Sequence, residues 1–597
     1  MISILELPAR WTVRPRNLPG EALLIQELGL EPILARLVAQ RGFANPESAQ
    51  NYLHPQLADL HDPRLLPDFD IASKILLAAR ESKDLIFIHG DYDVDGISSA
   101  ALFDRFLGTI GCTVHTHVPH RIKEGYGIHM DAVDAAKAMG AKVFLTCDCG
   151  SSALDQIAAA KEAGMTVVVT DHHQLGEERP KADAFINPHR PDSTYPFKDL
   201  CGVGVVYKLC LGLARELEMP ESQFHRAFLD LVVLGTVADV MPLVGENRIL
   251  ARHGLAALPV SRRKGIQALL KVSDIKLQEG RPMTAMDIGY RLGPRLNAAG
   301  RIDDAAKSLE LLLEREEARA LDLAVDLDTI NKQRQEEQKR MVAEADTLIE
   351  ELGLDQNYVI VVGKEGWHPG IVGIVAGKLV ERYRRPAFVL TIDEAHGICK
   401  GSARSIPAFN LKDSIDHLAP MVRGGGHARA AGCSFPSGYL DEFRRELHEF
   451  AAGFLREEDF IPQVEVDLDV QPSEISMRTV EALGLMEPCG EMNPSPTFMA
   501  SGLRVRDQKT MGATKDHIRL TLAGEKAGQA RAVGFGMAKT VESFEPDRLV
   551  DVVFRPTIDD FGNNLTLKWM LQGIRESEIP TPVAASVRPD QAAMDLF

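Results

Sequence analysis

Three aspartates, Asp91, Asp93 and Asp95, occupy alternate positions in the segment HGDYDVDG. Carboxylates this dense repel one another unless a cation lies among them. A calcium loop of the EF-hand kind needs a glutamate at position 12, where Leu102 stands, and flanking helices, whereas an apolar strand-like run precedes this segment. A solvated turn is the other ordinary reading. The cation gains weight from segments further along: Asp148 in TCDCG, Asp171, His172 and His173 in TDHH, and Asp239 in GTVAD. Carboxylate and imidazole ligands without thiolates suit Mn2+ or Mg2+ better than structural zinc. Two such ions about 3.5 to 4 Å apart stabilise the attacking and leaving oxygens of an in-line displacement at phosphorus. The chemistry expected is an in-line displacement at phosphorus.

A second set of residues could grip the substrate. GSARS places the Ser402 hydroxyl and the Arg404 guanidinium two residues apart, on one face if the segment is extended. Arginine binds phosphate through two parallel hydrogen bonds. Without its neighbours this would read as an exposed loop arginine. Arg295, Asn297 and Arg301 fall in PRLNAAGR, and Arg121 in HRIKEGYG, as further candidate strand contacts. In GGGH, backbone amides and His427 could approach an anion, the sober alternative being a glycine turn with a satisfied histidine.

The elements that must position these groups have βαβ rhythm from residue 84 onward, with Val/Ile/Leu runs ending in Gly or Asp and followed by Ala-rich helical stretches. Residues 85–89, 142–146 and 166–170 read as strands, each feeding an acidic cluster, and in an open parallel sheet ligands bind beyond the carboxyl ends of the strands. Residues 231–239 are compatible with a strand or a helix. The stretch 305–352 reads as one long helix, polar all round between 331 and 340, which predicts an interdomain bridge. A second α/β region covers 353–460. After Pro462 short alternating strands suggest a small OB-type barrel, a sandwich being the alternative. The expected architecture is therefore two α/β domains joined by a long helix, plus a C-terminal OB-type β-barrel. Its divisions are an N-terminal extension packed on the core (1–70), a catalytic domain (71–304, with connecting helices from 247), the helix, the second α/β domain, the barrel (461–576) and a disordered tail (577–597).

The 597 residues, 45% hydrophobic and 25% charged, are enough for several cores and exclude disorder, collagen-like repeats and disulfide scaffolds. Eight scattered cysteines imply reduced thiols. With no secretory start and no long apolar run, a cytoplasmic location is expected. The net charge of −18 argues against non-specific clinging to duplex DNA or anionic membranes while leaving room for a local groove.

HGDYDVDG, TCDCG, TDHH and GTVAD, in this order, resemble the four motifs of the DHH phosphoesterase superfamily. PRLNAAGRI, GWHPGIVGIVAG, GSARS and GGGHARAAG resemble the RecJ single-strand-specific exonucleases within it, over roughly residues 20–575. The resemblance implies a 5′-to-3′ exonuclease on single-stranded DNA that releases 5′-mononucleotides in recombination and repair. It implies Asp93, Asp95, Asp148, His172 and Asp239 as ligands of two ions, with Asp148 bridging and His89 a further candidate, and His173 facing the scissile phosphate. Ser402 and Arg404 resemble a terminal 5′-phosphate pocket. The second domain is similar to the DHH-associated domain. Relatives acting on short RNA or cyclic dinucleotides are the alternative function, and a non-catalytic replication scaffold is a third; the scaffold would be expected to lack metal aspartates, and none of the five implied ligands is missing. Single-strand-binding protein and a helicase are expected partners. The end of the chain, with Gln591, Met594, Leu596 and Phe597, resembles the peptides that dock bacterial polymerases and repair enzymes in the sliding clamp; a ragged terminus is the bland reading.

Overall fold

The computed structural model describes residues 9–121, 124–125, 127–275, 282–419, 421–524, 528–542, 544, 549–559 and 565–577. They fall into two compact units, one of Pro55–Ile461 with Glu487–Pro494, the other of residues 9–54, Pro462–Met486 and residues 495–577. The expected 1–70 extension therefore divides at residue 54. Its first strand, Arg10–Val13, pairs in parallel with Gln463–Val466 in the second unit. An edge strand is held by whichever partner satisfies its backbone groups, and composition does not disclose that partner.

The first unit is built around a five-stranded sheet in the spatial order Thr113–His117, Leu85–Gly90, Val143–Cys147, Thr166–Thr170, Ala184–Ile186. All neighbours are parallel. Side chains alternate between faces: Ile86, Ile88, Leu145 and Val168 join one core, and Phe87, Phe144, Val167 and Val169 the other. Both faces are covered, which explains why VFLTC and TVVVT read as continuous apolar runs. The chain starts at an interior strand, Leu85–Gly90, steps to one edge, then crosses to Val143–Cys147. The order reverses between those two strands, so their carboxyl ends open a crevice.

The 231–239 segment belongs to the helix Glu221–Ala238, and Asp239 is its C-cap. Length decides in favour of helix, since a buried strand seldom exceeds about eight residues. The expected single helix over 305–352 is two, Ala306–Leu313 and Glu317–Leu352. The break comes where Glu314 turns its carboxylate onto the backbone N–H groups of Arg315 and Glu316 at 2.6 and 2.8 Å, supplying acceptors to a new helix start.

Past the long helix, a mixed sheet runs in the order Arg423–Gly426, Ala430–Pro436, Ile398–Arg404, Ala387–Asp393, Ile360–Glu365, with only the last pair parallel. The helix Val372–Tyr383 packs against it.

In the second unit, Phe498–Met511, His517–Ala523, Gln529–Gly534, Thr566–Glu576 and Leu549–Asp559 follow one another, and Leu549–Asp559 pairs back onto Phe498–Met511. This closes a five-stranded barrel of OB type rather than a sandwich. Phe498, Phe554 and Trp569 are interior, and Phe535 is exposed. No described helix is long and apolar enough to cross a membrane. All eight cysteines are free thiols. The tail with Gln591, Met594, Leu596 and Phe597 lies outside the described residues.

Candidate metal centre and phosphate cleft

Each acidic motif leaves the sheet at the crevice. Asp93 caps the helix Val94–Thr109, its Oδ1 accepting from the N–H groups of Asp95 and Gly96 at 3.0 Å. Asp95, in the first turn, is fixed by another helix start: its carboxylate accepts from Gly202 N at 2.6 Å and Val203 N at 2.8 Å. Asp148 follows its strand in a left-handed conformation, φ +61°. Such strain in a non-glycine residue costs on the order of 1–3 kcal/mol and recurs at functional sites.

These groups converge. Among the described residues, ligand atoms within 4.8 Å of one another form three overlapping sets: Asp91, Asp93 and Asp148; Asp95, His172 and Asp239; Asp148, His172 and His173. Nε2 of His172 stands 3.1 Å from Asp148, 3.7 Å from Asp239 and 3.8 Å from Asp95. Asp148 Oδ1, Asp91 Oδ1 and His172 Nε2 are buried and make no hydrogen bond. Buried polar atoms are almost always paired, so these three aim at a missing partner, and a hard divalent cation fits a donor set of carboxylate oxygens and imidazole. Burial, then the charges of Asp95 and Asp93, pushes the Asp148 carboxyl well above its usual range. Burial and Asp93 likewise raise Asp91 to about 8. Asp239 is raised to about 8 by burial and Asp95. Burial and the neighbouring His173 lower His172 to about 4, leaving it neutral as a ligand must be.

Asp171 holds the turn and makes no contribution to these sets. It accepts from the N–H groups of Ser151, His172 and His173 at 2.8, 2.7 and 3.2 Å, and from the His173 ring at 2.7 Å. Burial alone would lower His173, but the bond to Asp171 outweighs it and raises the imidazole to about 9. His173 is therefore a cation at neutral pH, partly exposed at the mouth.

His89 does not join the cluster. Strand alternation sends its ring to the Phe87 face, 5.4 Å from the His117 ring and 6.1 Å from that of Phe144. Asp91, undervalued in the sequence beside Asp93 and Asp95, is brought in; the triple alternation of aspartates was its signal. Two glycines also matter. A methyl at Gly202 would lie 2.5 Å from the Asp148 carboxylate, and one at Gly235 2.6 Å from Asp95 Oδ1, so both positions let helix backbones close onto the acids.

Beside the cluster a cleft of about 180 Å3 is lined by Ala238, Asn297, Arg301, Arg334 and Ile374. Burial, then the charges of Arg121, Arg334 and Arg404, lowers Arg301 to about 10. Like charges gathered this closely await an anion. Arg334 escaped the sequence reading because a helix polar all round gives no clue to which arginine turns inward. Ser402 and Arg404 share a face of the Ile398–Arg404 strand, and the missing side chain of Gly373 leaves room beside both: a Cβ there would lie 3.4 Å from Ser402 and 3.6 Å from Arg404. Asn297 Oδ1 accepts from Val94 N at 3.2 Å, bracing the DYDVDG loop. The Arg121 guanidinium stacks 4.2 Å over Tyr92. Arg295 is bound to Asp328 at 2.9 Å, away from this gathering. His427 is exposed, next to the edge strand Arg423–Gly426.

Three family profiles match the chain: the DHH family N-terminal domain over residues 85–236, the DHHA1 domain over 355–453 and the RecJ OB domain over 466–573. The chain is 37% identical to the single-stranded-DNA-specific exonuclease RecJ of Bacillus subtilis, covering 95% of this chain and 71% of that protein. Identity to RecJ of Haemophilus influenzae is 33%, over 91% of this chain and 96% of that one. Among solved structures, RecJ of Thermus thermophilus in complex with Mn2+ superimposes with a TM-score of 0.82 at 28% identity, covering 96% of this chain and 80% of that one. The same protein in complex with Mg2+ gives 0.75 at 27% identity, over 96% and 79%.

Proposed function

The chain belongs to the family of RecJ single-stranded-DNA-specific exonucleases, and from that premise we propose that it degrades single-stranded DNA from the 5′ end, releasing 5′-mononucleotides at the cluster centred on Asp148. It is a metal-dependent phosphodiesterase that uses Mn2+ or Mg2+. The observation that carries the reading is one buried aspartate shared between two overlapping ligand sets, with four arginines gathered next to them.

Asp91, Asp93, Asp95, Asp148, His172 and Asp239 would hold the ions. Bound there, Mn2+ or Mg2+ would polarise phosphoryl oxygens and lower the pKa of water. The protein's own groups do the rest. Arg404, Arg301, Arg334 and Arg121, with the Ser402 hydroxyl, hold the terminal 5′-phosphate. That anchor sets the first phosphodiester, and no later one, against the acidic cluster, so polarity and product size follow from one fixed spacing. Protonated His173 neutralises charge growing on the scissile phosphate. Asn297 and Gly202 keep the two aspartate-bearing segments in register.

The test is purified protein with Mn2+ or Mg2+, offered 5′-phosphorylated single-stranded DNA, duplex DNA, RNA and a cyclic dinucleotide. Release of mononucleotides from the 5′ end of the single strand alone is expected. Asp148→Ala should abolish it with the circular dichroism spectrum unchanged; substantial turnover by this variant at saturating Mn2+ would overturn the assignment.

Finer partnerships rest on the sequence. The segment with Gln591, Met594, Leu596 and Phe597 is proposed to dock in the sliding clamp at on the order of micromolar affinity, measurable with a peptide of residues 578–597 and lost on replacing Leu596 and Phe597 by alanine. A helicase that frees the single strand and the single-strand-binding protein that coats it are the other proposed partners.

A further inference from the structure

The catalytic cleft does not account for all the concentrated positive charge in the first unit. A cavity of about 910 Å3 opens beside the C-terminal end of the Val94–Thr109 helix, whose other end carries Asp93 and Asp95. The ten positions from Asp95 to Arg105 span about 15 Å of helix, so this is a separate place. In a chain of net charge −18 its wall holds six cations: Arg105, Arg226, Arg262, Arg263, Lys264 and Arg315.

Two carboxylates line it as well, and both are engaged. Asp230 accepts from Ser261 Oγ at 2.6 Å and from Leu231 N at 2.8 Å, and pairs with Arg263 at 3.3 Å. Glu314 accepts the two backbone N–H groups that start the long helix and pairs with Arg319 at 3.1 Å. Arg226 and Arg262 are exposed and have no ion-pair partner among the described residues. Arg105 is half-buried, and its Nε is buried without a hydrogen-bond partner. Burial, then the charges of Arg315 and Arg263, lowers its pKa. Arg263 is held by Asp230 and Lys264 by Glu317 at 3.0 Å, whereas Arg105, Arg226, Arg262 and Arg315 are brought together with no ion pair among the described residues.

Between the charges, Phe228, Ala257 and Val260, the last 75% exposed, give the wall an apolar part beside the polar Thr109, Gln223 and Ser261, and the Arg263 guanidinium lies 5.6 Å over the Phe228 ring. A volume of roughly 300 to 1,000 Å3, an apolar wall and a few convergent charged groups describe a small-molecule site. The ligand must be multiply anionic at one end to answer the unpaired arginines, and flat and weakly polar at the other to cover the apolar wall. Arginine grips phosphate through paired hydrogen bonds and also stacks on aromatic rings, so a phosphate chain attached to a nucleobase meets both demands.

We propose that this cavity binds a nucleoside polyphosphate, at a site distinct from the catalytic cleft. The full-length protein is titrated calorimetrically, in Mg2+ buffer, with the β,γ-imido analogue of ATP. Saturable binding at one site is expected, weakened at least tenfold in Arg226→Glu/Arg262→Glu and unchanged in Arg404→Ala. The double variant, whose changes fall at exposed side chains, should digest 5′-phosphorylated single-stranded DNA at the wild-type rate without nucleotide. The proposal is overturned if the wild type shows no saturable binding, if the double variant binds equally well, or if Arg404→Ala loses the binding, which would put the nucleotide in the catalytic cleft. Inorganic tripolyphosphate or hexaglutamate binding as tightly as the nucleotide would also overturn it, since the apolar wall would then recognise nothing.

Discussion

Replacing Asp91 with asparagine should stabilise the metal-free protein while removing its metal-dependent activity. Asp91 is 2% exposed. Burial, then the Asp93 charge, raises its carboxyl to about 8, against an ordinary value of about 3.9. A group whose folded pKa lies above its unfolded pKa favours folding most at low pH, and that contribution is lost as pH climbs from about 4 to about 8. At pH 7 the unfolded chain is ionised while the folded chain keeps the proton. At 1.36 kcal/mol per unit over roughly three units, that is about 4 kcal/mol against folding. Because Asp93, Asp95, Asp148 and Asp239 share the repulsion, a net gain of about 2–4 kcal/mol for the neutral, nearly isosteric Asp91→Asn is the reasonable expectation. Urea denaturation of metal-free protein, wild type against variant, should show this gap at pH 7.5 and its near disappearance at pH 4.5. Saturating Mn2+ should reverse the order, since ligand binding stabilises only the chain that binds it. Exonuclease turnover should fall at least a hundredfold. A metal-free variant no more stable than wild type at pH 7.5, or one with normal turnover, would refute the reasoning that these acids are held together for a cation.

Gly202→Ala would bring a methyl to 2.5 Å from Asp148 and disturb the N–H groups that hold Asp95, so the Mn2+ concentration for half-maximal activity should rise at least tenfold with a stability loss of about 1–3 kcal/mol. Arg404→Ala should lower the ratio of activity on 5′-phosphorylated over 5′-hydroxyl oligonucleotides by about tenfold to a hundredfold, the worth of a charge-assisted contact of about 1.5–3 kcal/mol; Arg334→Ala should move it in the same direction. Lys208 and Glu246 form a fully buried ion pair at 2.9 Å, with Tyr195 donating to Glu246 at 2.6 Å. Lys208→Met should therefore cost about 3–5 kcal/mol in urea denaturation, with Lys208→Met/Glu246→Gln recovering part of it.

The sequence alone determined where the acidic motifs lie and, through their resemblance to a known family, what kind of chemistry they serve. The motifs that carry Asp93, Asp95, Asp148 and His172 could be placed at the crevice because a strand ends where its apolar run ends and the segment after a parallel strand faces the crevice; which of their side chains serve as ligands came from the resemblance to the family. Ser402 and Arg404 share a face for an equally local reason, the two-residue period of a strand. The order of α/β, helix, α/β and barrel was legible from changes in that period. Tertiary structure decided the rest. It drew Asp91 among the acids through the packing of two strands and a loop, whereas the strand's own alternation turned His89 toward Phe144. It brought Asp239 in from a helix end and used Gly202 and Gly235 to let two helices touch the carboxylates. It committed Arg295 to Asp328 while turning Arg334 from a uniformly polar helix into the cleft. Each of these outcomes depends on which segment, tens of residues or more away, a surface meets. Local spacing carries no record of such a meeting, because the energy that selects it exists only once both surfaces are formed.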